Sequence, residues 1–391
     1  MKILFVTPDM PSPYGGGQRT YYMIKHLAKL GIEIHLLSLA GGNFFMEELR
    51  GWCSKITRMK TAEGLPSRLK NLSLLRAYSF DPELKNEVAA LDLSQYDLAH
   101  VHKFQMAEYF RSITRIPVLI DLWACGLGGA VAEAVHETHL LKKLIVLSRI
   151  PRYYLADRKY YASFHNFFVV SAEARDFILR RYSGKKVYVV PQGIEWEKFA
   201  LVREEEKKDN HNLIFTGDMS FFQNIDTAKH LAQRIFPLIK DRVKSARLHI
   251  VGKDPTKDIR RLARKDPSIV VTGFVKDMSE SLGQASVFVA PIRTGIGMRT
   301  KIVEAMAWGL PVVTTRLALE GIEGEDGKDF IVAEKPVEFA ARVVDLLNDP
   351  PRRTAMARNA RRLVREKYSW EGISPDIIRF YREISRDREC R

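Results

Sequence analysis

A chain of 391 residues exceeds what one hydrophobic core usually organises, so two domains are expected. With 46% hydrophobic and 28% charged residues it has the make-up of a folded globular protein, and no apolar run approaches the ~20 residues that span a bilayer. Its cysteines, Cys53, Cys125 and Cys390, lie far apart with no CxxC pairing, which argues against a zinc site or a disulfide framework and fits a reducing cytoplasm.

The opening MKILFVTPDM reads as a buried strand rather than a signal peptide. A loop rich in Pro and Gly, DMPSPYGGGQR, follows it. A helical pattern then runs from about Thr20 to Lys29, with Gly31 placed as its C-cap, and EIHLLSLA is the next strand. Strand, glycine loop, helix and strand make a βαβ crossover. DLAHVHK, PVLIDLW, FHNFFVVS and KKVYVVP continue the strands, which predicts an open parallel sheet. Past VPQGIEWEKF, the charged stretch VREEEKKDNHN reads as a linker, and the alternation restarts with NLIFTGDM, ARLHIVGKD, SIVVTGFV, ASVFVAP, LPVVTT and DFIVAE. The expected architecture is α/β: two Rossmann-like doubly wound domains, 1–205 and 206–369, facing a central cleft. The last helix, from about Trp370 within the segment 370–391, is expected to cross back onto the first domain. Ligands of such sheets bind at the carboxyl ends of the strands.

The net charge of +15 is unevenly spread. Lys55, Arg58, Lys60, Arg68, Lys70 and Arg76 face a single acid, Glu63. A second cluster sets Lys142, Lys143, Arg149, Arg152, Arg158 and Lys159 among Tyr153, Tyr154, Tyr160 and Tyr161. Basic residues beside aromatics and leucines suit an anionic membrane surface or a polyanionic substrate. The plainer reading is a solvated basic face. No helix-turn-helix, zinc-finger or RNA-binding signature supports nucleic acid as a partner.

The most informative segment is PIRTGIGMRTKIVEAMAWGLPVVTT, residues 291–315. A strand ends at Pro291, a loop with Gly295 and Gly297 follows, and a helix opens near Met298. Glycines let a backbone approach a ligand closely, and a helix N-terminus offers free N–H groups. Arg299 and Lys301 put full positive charge in the first turn, where the helix dipole prefers acids. Cations placed there suit an anion, and a diphosphate is the natural one. Glu304, further along the helix, is placed to accept hydrogen bonds from ribose hydroxyls. The alternative is that these three residues form a solvated surface cluster.

This segment resembles the donor-binding signature of retaining glycosyltransferases of family 4, in the GT-B fold class, in the branch reading roughly G-x-G-x-R-x-K-x-x-E-A-M-A-x-G-x-P-V-V. Further segments resemble that family in order along the chain. PSPYGGGQR is similar to its N-terminal glycine loop, which implies that Gly15, Gly16 and Gly17 approach the donor's diphosphate or sugar. DLAHVHKF, with Asp97, His100 and His102, looks like its D-x-x-H-x-H strand end, and VSAEARDFI and VPQGIEWEKF look like two later segments. FTGDMSFFQNIDTAKHL, with Gly217 and Asn224, resembles the start of its nucleotide domain. SIVVTGFVKD resembles the stretch whose backbone, here around Gly273 and Phe274, meets the nucleobase, and YSWEGI resembles the start of the crossover helix.

The chain also departs from the family. The first of two glutamates that many members carry falls at Ile296, a cation pair after the first strand of the nucleotide domain is missing, Gln192 replaces an Asn, and Asp121 stands where many have His. Arg299 and Lys301 are expected to supply the missing charge. Asp121 is placed either to orient an acceptor hydroxyl or the sugar, or to cap the next segment. A metal held by His100, His102 and Asp121 is geometrically allowed but not expected.

The resemblance implies a retaining glycosyltransferase that uses a nucleotide-diphosphate-sugar donor. Asp121, Arg299 and Lys301 form the catalytic group, and Gly15, Gly16, Gly17, Gly217, Asn224, Gly273, Phe274, Gly297, Met298, Thr300 and Glu304 join the two cations around the donor. Gly297, Met298 and Thr300 are the expected backbone donors to the diphosphate. No cofactor or metal is expected. The acceptor is a lipid-linked saccharide, a polysaccharide or a small metabolite, and the place of action the cytoplasm, with the inner face of the cell membrane as a candidate surface. A nucleotide-sugar epimerase of the same fold and a non-catalytic nucleotide-sugar-binding protein are the rival readings.

Overall fold

The structure, a computed structural model, describes residues 1–14, 17–39, 45–59, 82–122, 127, 131, 134–135, 140–199, 210–276, 278–295 and 297–386. The chain divides into two compact units, Met1–Gly193 together with Trp370–Arg391, and Ile194–Ser369.

The N-terminal unit is built on a seven-stranded parallel sheet. Its strands are β1 (Lys2–Thr7), β2 (Glu33–Leu39), β3 (Lys55–Met59), β4 (Leu98–His102), β5 (Val118–Leu122), β6 (Asn166–Val169) and β7 (Lys186–Val189), in the order β3-β2-β1-β4-β5-β6-β7. Crossover helices cover both faces, so the central strands bury both sides and read as continuous apolar runs. Side chains still alternate. Leu4 and Val6 pack in one core cluster while Ile3 and Phe5 pack in the other. The last helix, Trp370–Arg386, belongs to this unit and packs against the helix Gln18–Lys29. Trp370 and Tyr381 are fully buried in it, and Tyr381 stacks on Phe168 of β6 at 5.9 Å.

The second unit repeats the plan with six parallel strands. They are β8 (Asn212–Thr216), β9 (Arg247–Val251), β10 (Ile269–Gly273), β11 (Val287–Ala290), β12 (Val312–Thr314) and β13 (Ile331–Val332), in the order β10-β9-β8-β11-β12-β13. Both sheets are therefore Rossmann-like, as the strand patterning predicts. In each, the order reverses beside the first strand, at β1/β4 and at β8/β11, the topological switch point at which ligands of such sheets bind.

Trp370 supplies much of the cover over one face of the N-terminal sheet. Trp370→Ala should destabilise this unit by ~3–5 kcal/mol, the range for emptying a buried aromatic site. Trp370→Phe should cost much less, because the buried indole N–H has no hydrogen-bond partner among the described residues. Urea unfolding followed by circular dichroism checks this; equal losses in both variants would show that the indole N–H, not the volume, matters.

Candidate functional site

In the second unit, two loops at the carboxyl ends of neighbouring strands carry predicted residues, and a third adds one the sequence did not single out. Gly217 follows β8, the stretch 291–299 follows β11, and Glu320 follows β12. Gly217 is a spacing residue: a Cβ there would lie 2.7 Å from Lys301 Nζ and from the Asn224 side chain. Only a glycine lets these two reach across the strand end. Lys301 Nζ donates to Asn224 Oδ1 at 2.5 Å and lies 4.8 Å from the centre of the Phe215 ring. Asn224 is itself fixed by donating from Nδ2 to the Asp218 carbonyl at 2.7 Å. The helix that bears Lys301 runs Thr300–Ala307, one residue after Arg299.

The electrostatics here are unusual. Burial pushes the Lys301 ammonium down to about 7, with Arg299 adding to the shift and Glu304 and Asp218 opposing it. Burial also lowers Arg299, against the pull of Glu320. Glu304 is raised by burial, against the pull of Lys301 and Lys198. Lys301 is thus a cation penalised by burial whose hydrogen-bond partner is an amide oxygen, the kind of perturbed group that gathers at functional sites.

The loop between them has one feature the sequence did not disclose. The Gly297 N–H, assigned above to a phosphate, donates to Glu320 Oε2 at 2.7 Å. Gly297 has φ +88, a conformation that glycine adopts freely and that turns its N–H toward that carboxylate. Arg299 is drawn back onto the same loop, its guanidinium donating to the carbonyls of Gly297 and, at 3.5 Å, Thr294. Glu320 was missed because it lies 23 residues beyond Gly297, in a stretch without periodicity. Met298 packs half-buried against the core, and Thr300 opens the helix. Gly273 ends β10, and Phe274 beyond it is 75% exposed. From β10 to β11 is three strand spacings, roughly 14 Å at ~4.8 Å each, a span that suits a base at one end and phosphates at the other.

In the N-terminal unit Asp121, placed by the sequence either at an acceptor hydroxyl or the sugar or as a cap on the next segment, has no exposed surface. It forms a forked ion pair with Arg19, Nε to Oδ2 and Nη2 to Oδ1 both at 2.9 Å. Arg19 also donates to the carbonyls of Pro191 at 2.9 Å and Val190 at 3.0 Å, so the end of β7 and the following turn are held by the same guanidinium. His102, in register with Asp121 on the next strand, places Nδ1 3.1 Å from Oδ2, and His100 Nδ1 lies 2.6 Å from the Tyr381 hydroxyl. Burial pushes the Asp121 carboxyl up, but Arg19 and the two imidazoles outweigh it and hold the group well below the usual carboxylate range. Both histidines are lowered by burial, against the pull of Asp121. Both oxygens of Asp121 accept from Arg19, and His102 adds a contact to Oδ2. Arg19 was overlooked because a cation in the first turn of a helix usually faces water. Gly17 precedes this helix, with its carbonyl accepting from Thr20 at 2.9 Å. Gly15, Gly16 and Ile296 lie outside the described residues.

Comparison with known proteins agrees with this geometry. Residues 13–198 match the family model described as Glycosyltransferase Family 4, and residues 210–349 match Glycosyl transferases group 1. The chain is 23% identical over 325 residues to an uncharacterised glycosyltransferase of Methanocaldococcus jannaschii, spanning 77% of this chain and 78% of that one. It is 26% identical over 210 residues to the capsular polysaccharide biosynthesis glycosyltransferase CapM of Staphylococcus aureus, covering 50% of this chain and 54% of that one. Its fold is similar to Anabaena HepE solved in complex with UDP, with a TM-score of 0.69 at 16% identity over 98% of this chain and 100% of that one.

Two outcomes follow from these charges. Asp121→Asn should destabilise the N-terminal unit by ~3–5 kcal/mol, because it leaves a buried guanidinium uncompensated, whereas the paired change Arg19→Met with Asp121→Leu should cost less. Denaturant unfolding decides; a near-neutral Asp121→Asn would free the residue for another role. Lys301 supplies the second outcome. Held near 7 against an unfolded value of about 10.4, it lowers stability in full below about pH 7, and that cost fades as pH rises toward the unfolded value. An anion favours the charged form, so binding takes up a proton above pH 7. A nucleoside-diphosphate sugar found to bind this chain, its diphosphate ionised throughout, should bind less tightly as pH rises from 7, with a slope approaching tenfold per unit. Calorimetry across pH checks it, and the slope should vanish in Lys301→Met.

Proposed function

We propose, from the premise that this chain is a glycosyltransferase of the GT-B fold, that it moves a sugar from a nucleotide-diphosphate donor to a saccharide acceptor with retention of anomeric configuration. The observation that carries this reading is the placement of Arg299 and Lys301 at the start of the helix after β11, at the switch point of the second sheet, with Lys301 held across the strand end by Asn224. Breaking a sugar–phosphate bond builds positive charge on the sugar ring and negative charge on the departing diphosphate. Cations already in place, and poorly hydrated, stabilise that leaving group without reorganising. They occupy the electrostatic role a divalent metal would otherwise fill, so the reading requires none.

The remaining residues divide the donor between them. Phe274 and Gly273 lie where the base would sit, three strands from the phosphate loop. Glu304, half-buried on the same helix as Lys301, would accept from the ribose hydroxyls. Its raised pKa leaves the carboxyl ready to gain hydrogen bonds that the free protein does not give it. Asn224 and Gly217 keep Lys301 pointed at the strand end. The N-terminal unit would receive the acceptor, in the cytoplasm, through loops at the carboxyl ends of β1 and β4.

A panel of nucleotide sugars, offered with saccharide acceptors, tests the reading. Turnover is expected with one or a few donors, and proton NMR of the first product should show the anomeric configuration of the donor. An inverted product would overturn retention; selective donor binding without any turnover would make the chain a sensor. Lys301→Ala should lower kcat/KM by 10²-fold or more, on the order of losing one donor to a developing anion.

A further inference from the structure

The helix Leu140–Ser163 of the N-terminal unit is apolar on two sides. Its inward side is ordinary: Val146, Tyr160 and Tyr161 are at most 5% exposed and pack in the core. That removes two of the four tyrosines from the surface cluster expected from the sequence. Its outward side is not ordinary. Leu140 is 72% exposed, Leu144 54%, Ile145 53%, Leu147 43%, Tyr154 51% and Leu155 64%. The positions 140, 144, 147, 151 and 154 follow the four-and-three spacing of one helical stripe, with Pro151, also exposed, at the middle. The stripe from 140 to 155 is roughly 22 Å long at ~1.5 Å per residue. Single exposed leucines need no explanation, but a contiguous ridge does.

Charge beside the ridge narrows what covers it. Lys143, Arg152, Arg158 and Lys159 lie on or beside it on the same helix. The helix has one acid, Asp157, which is buried and accepts from the Leu127 N–H at 3.1 Å. Glu108 pairs with Lys159 at 2.8 Å, which leaves the other cations to face outward chemistry. A glycan or nucleic acid polyanion has no use for six hydrocarbon side chains. A second copy would bring the same cations against these, on a chain of net charge +15. No helix among the described residues is long and apolar enough to cross a membrane.

We infer that the outward face of Leu140–Ser163 docks side-on onto a bilayer containing anionic phospholipid, with the ridge at the acyl boundary and the cations level with the lipid phosphates. Such docking selects the lipid-linked class among the acceptors of the transferase reading. It stands on its own evidence, and donor binding measured by calorimetry separates the failure of one from the failure of the other.

The test is co-sedimentation of the whole protein with vesicles of phosphatidylcholine alone or mixed with phosphatidylglycerol, at low and high salt. Wild type should partition onto the anionic vesicles, and high salt should weaken this several-fold without abolishing it, since the ridge is not screened. Leu144→Glu with Leu155→Glu, both at exposed positions, should lower partitioning at least tenfold while melting temperature and UDP-glucose affinity stay unchanged. Lys143→Ala with Arg158→Ala should remove the preference for anionic over neutral vesicles. The inference is overturned if wild type binds neither vesicle, if it binds both equally, or if the ridge variant sediments as wild type does. Self-association abolished by the ridge variant, without vesicle binding, would make a second copy the occupant.

Discussion

An all-parallel sheet covered on both faces has no room for uncompensated charge except at its ends, and this constraint decides where chemistry sits in both units. β1, β4 and β5 bury nearly every side chain they carry, as do β8 and β11. Polar groups collect where strand gives way to loop, and the reversal of strand order sets the topological switch point among those ends. The ion pair of Arg19 with Asp121 and the cations at Arg299 and Lys301 all lie by the carboxyl ends of strands, Arg19 on the helix after the first strand of its sheet and Lys301 on the helix after the fourth strand of the other.

The two places solve the problem of a buried cation in opposite ways. Arg19 has its counter-ion within the chain: Asp121 takes two of its N–H groups, and the carbonyls at the end of β7 take others. The result is a rivet that joins β5, the end of β7 and the first helix. Lys301 has an amide oxygen and an aromatic face in place of a carboxylate, and its ammonium is pushed down accordingly. Desolvating a charge without pairing it costs stability. A site that keeps such a cation is strained toward any anion that restores the balance. A cation near a strand end is therefore tied to a carboxylate in one unit and to an amide oxygen and an aromatic ring in the other.

That difference bears on what was legible in the sequence. The strands were, because parallel strands buried on both faces are runs of apolar residues that charge and glycine interrupt only at their ends. The second-unit site was also largely legible: Gly217, Asn224, Arg299, Lys301 and Glu304 fall within two short segments, and local spacing brings each set together. Contacts between distant segments were not. Arg19 and Asp121 are 102 residues apart, and nothing in either neighbourhood announces the other. Without Arg19, a buried acid at a strand end reads as a working group. The helix Leu140–Ser163 was legible in composition but not in direction. A helix apolar on two sides has no single stripe from which to tell the tyrosines that enter the core from the leucines that leave it.

Glu320 shows how the last of these gaps changes the chemistry. Its carboxylate accepts the Gly297 N–H, so the loop already binds an anion supplied by the chain itself. One N–H supports one short charge-assisted bond. A phosphate oxygen that takes this N–H must displace Glu320, and a diphosphate left beside an undisplaced carboxylate would meet like charge. The half-buried position of Glu320, just beyond a short turn after β12, leaves its side chain room to move. Arg299 feels Glu320 as its favourable charge and is drawn to the same loop, so moving the carboxylate also frees the guanidinium to follow the incoming anion. The affinity of the loop for a diphosphate is then a difference between two anions competing for one N–H and one arginine. The family pattern puts an acid at 296, where this chain has isoleucine, and the structure brings a carboxylate to the neighbouring N–H from 23 residues further on.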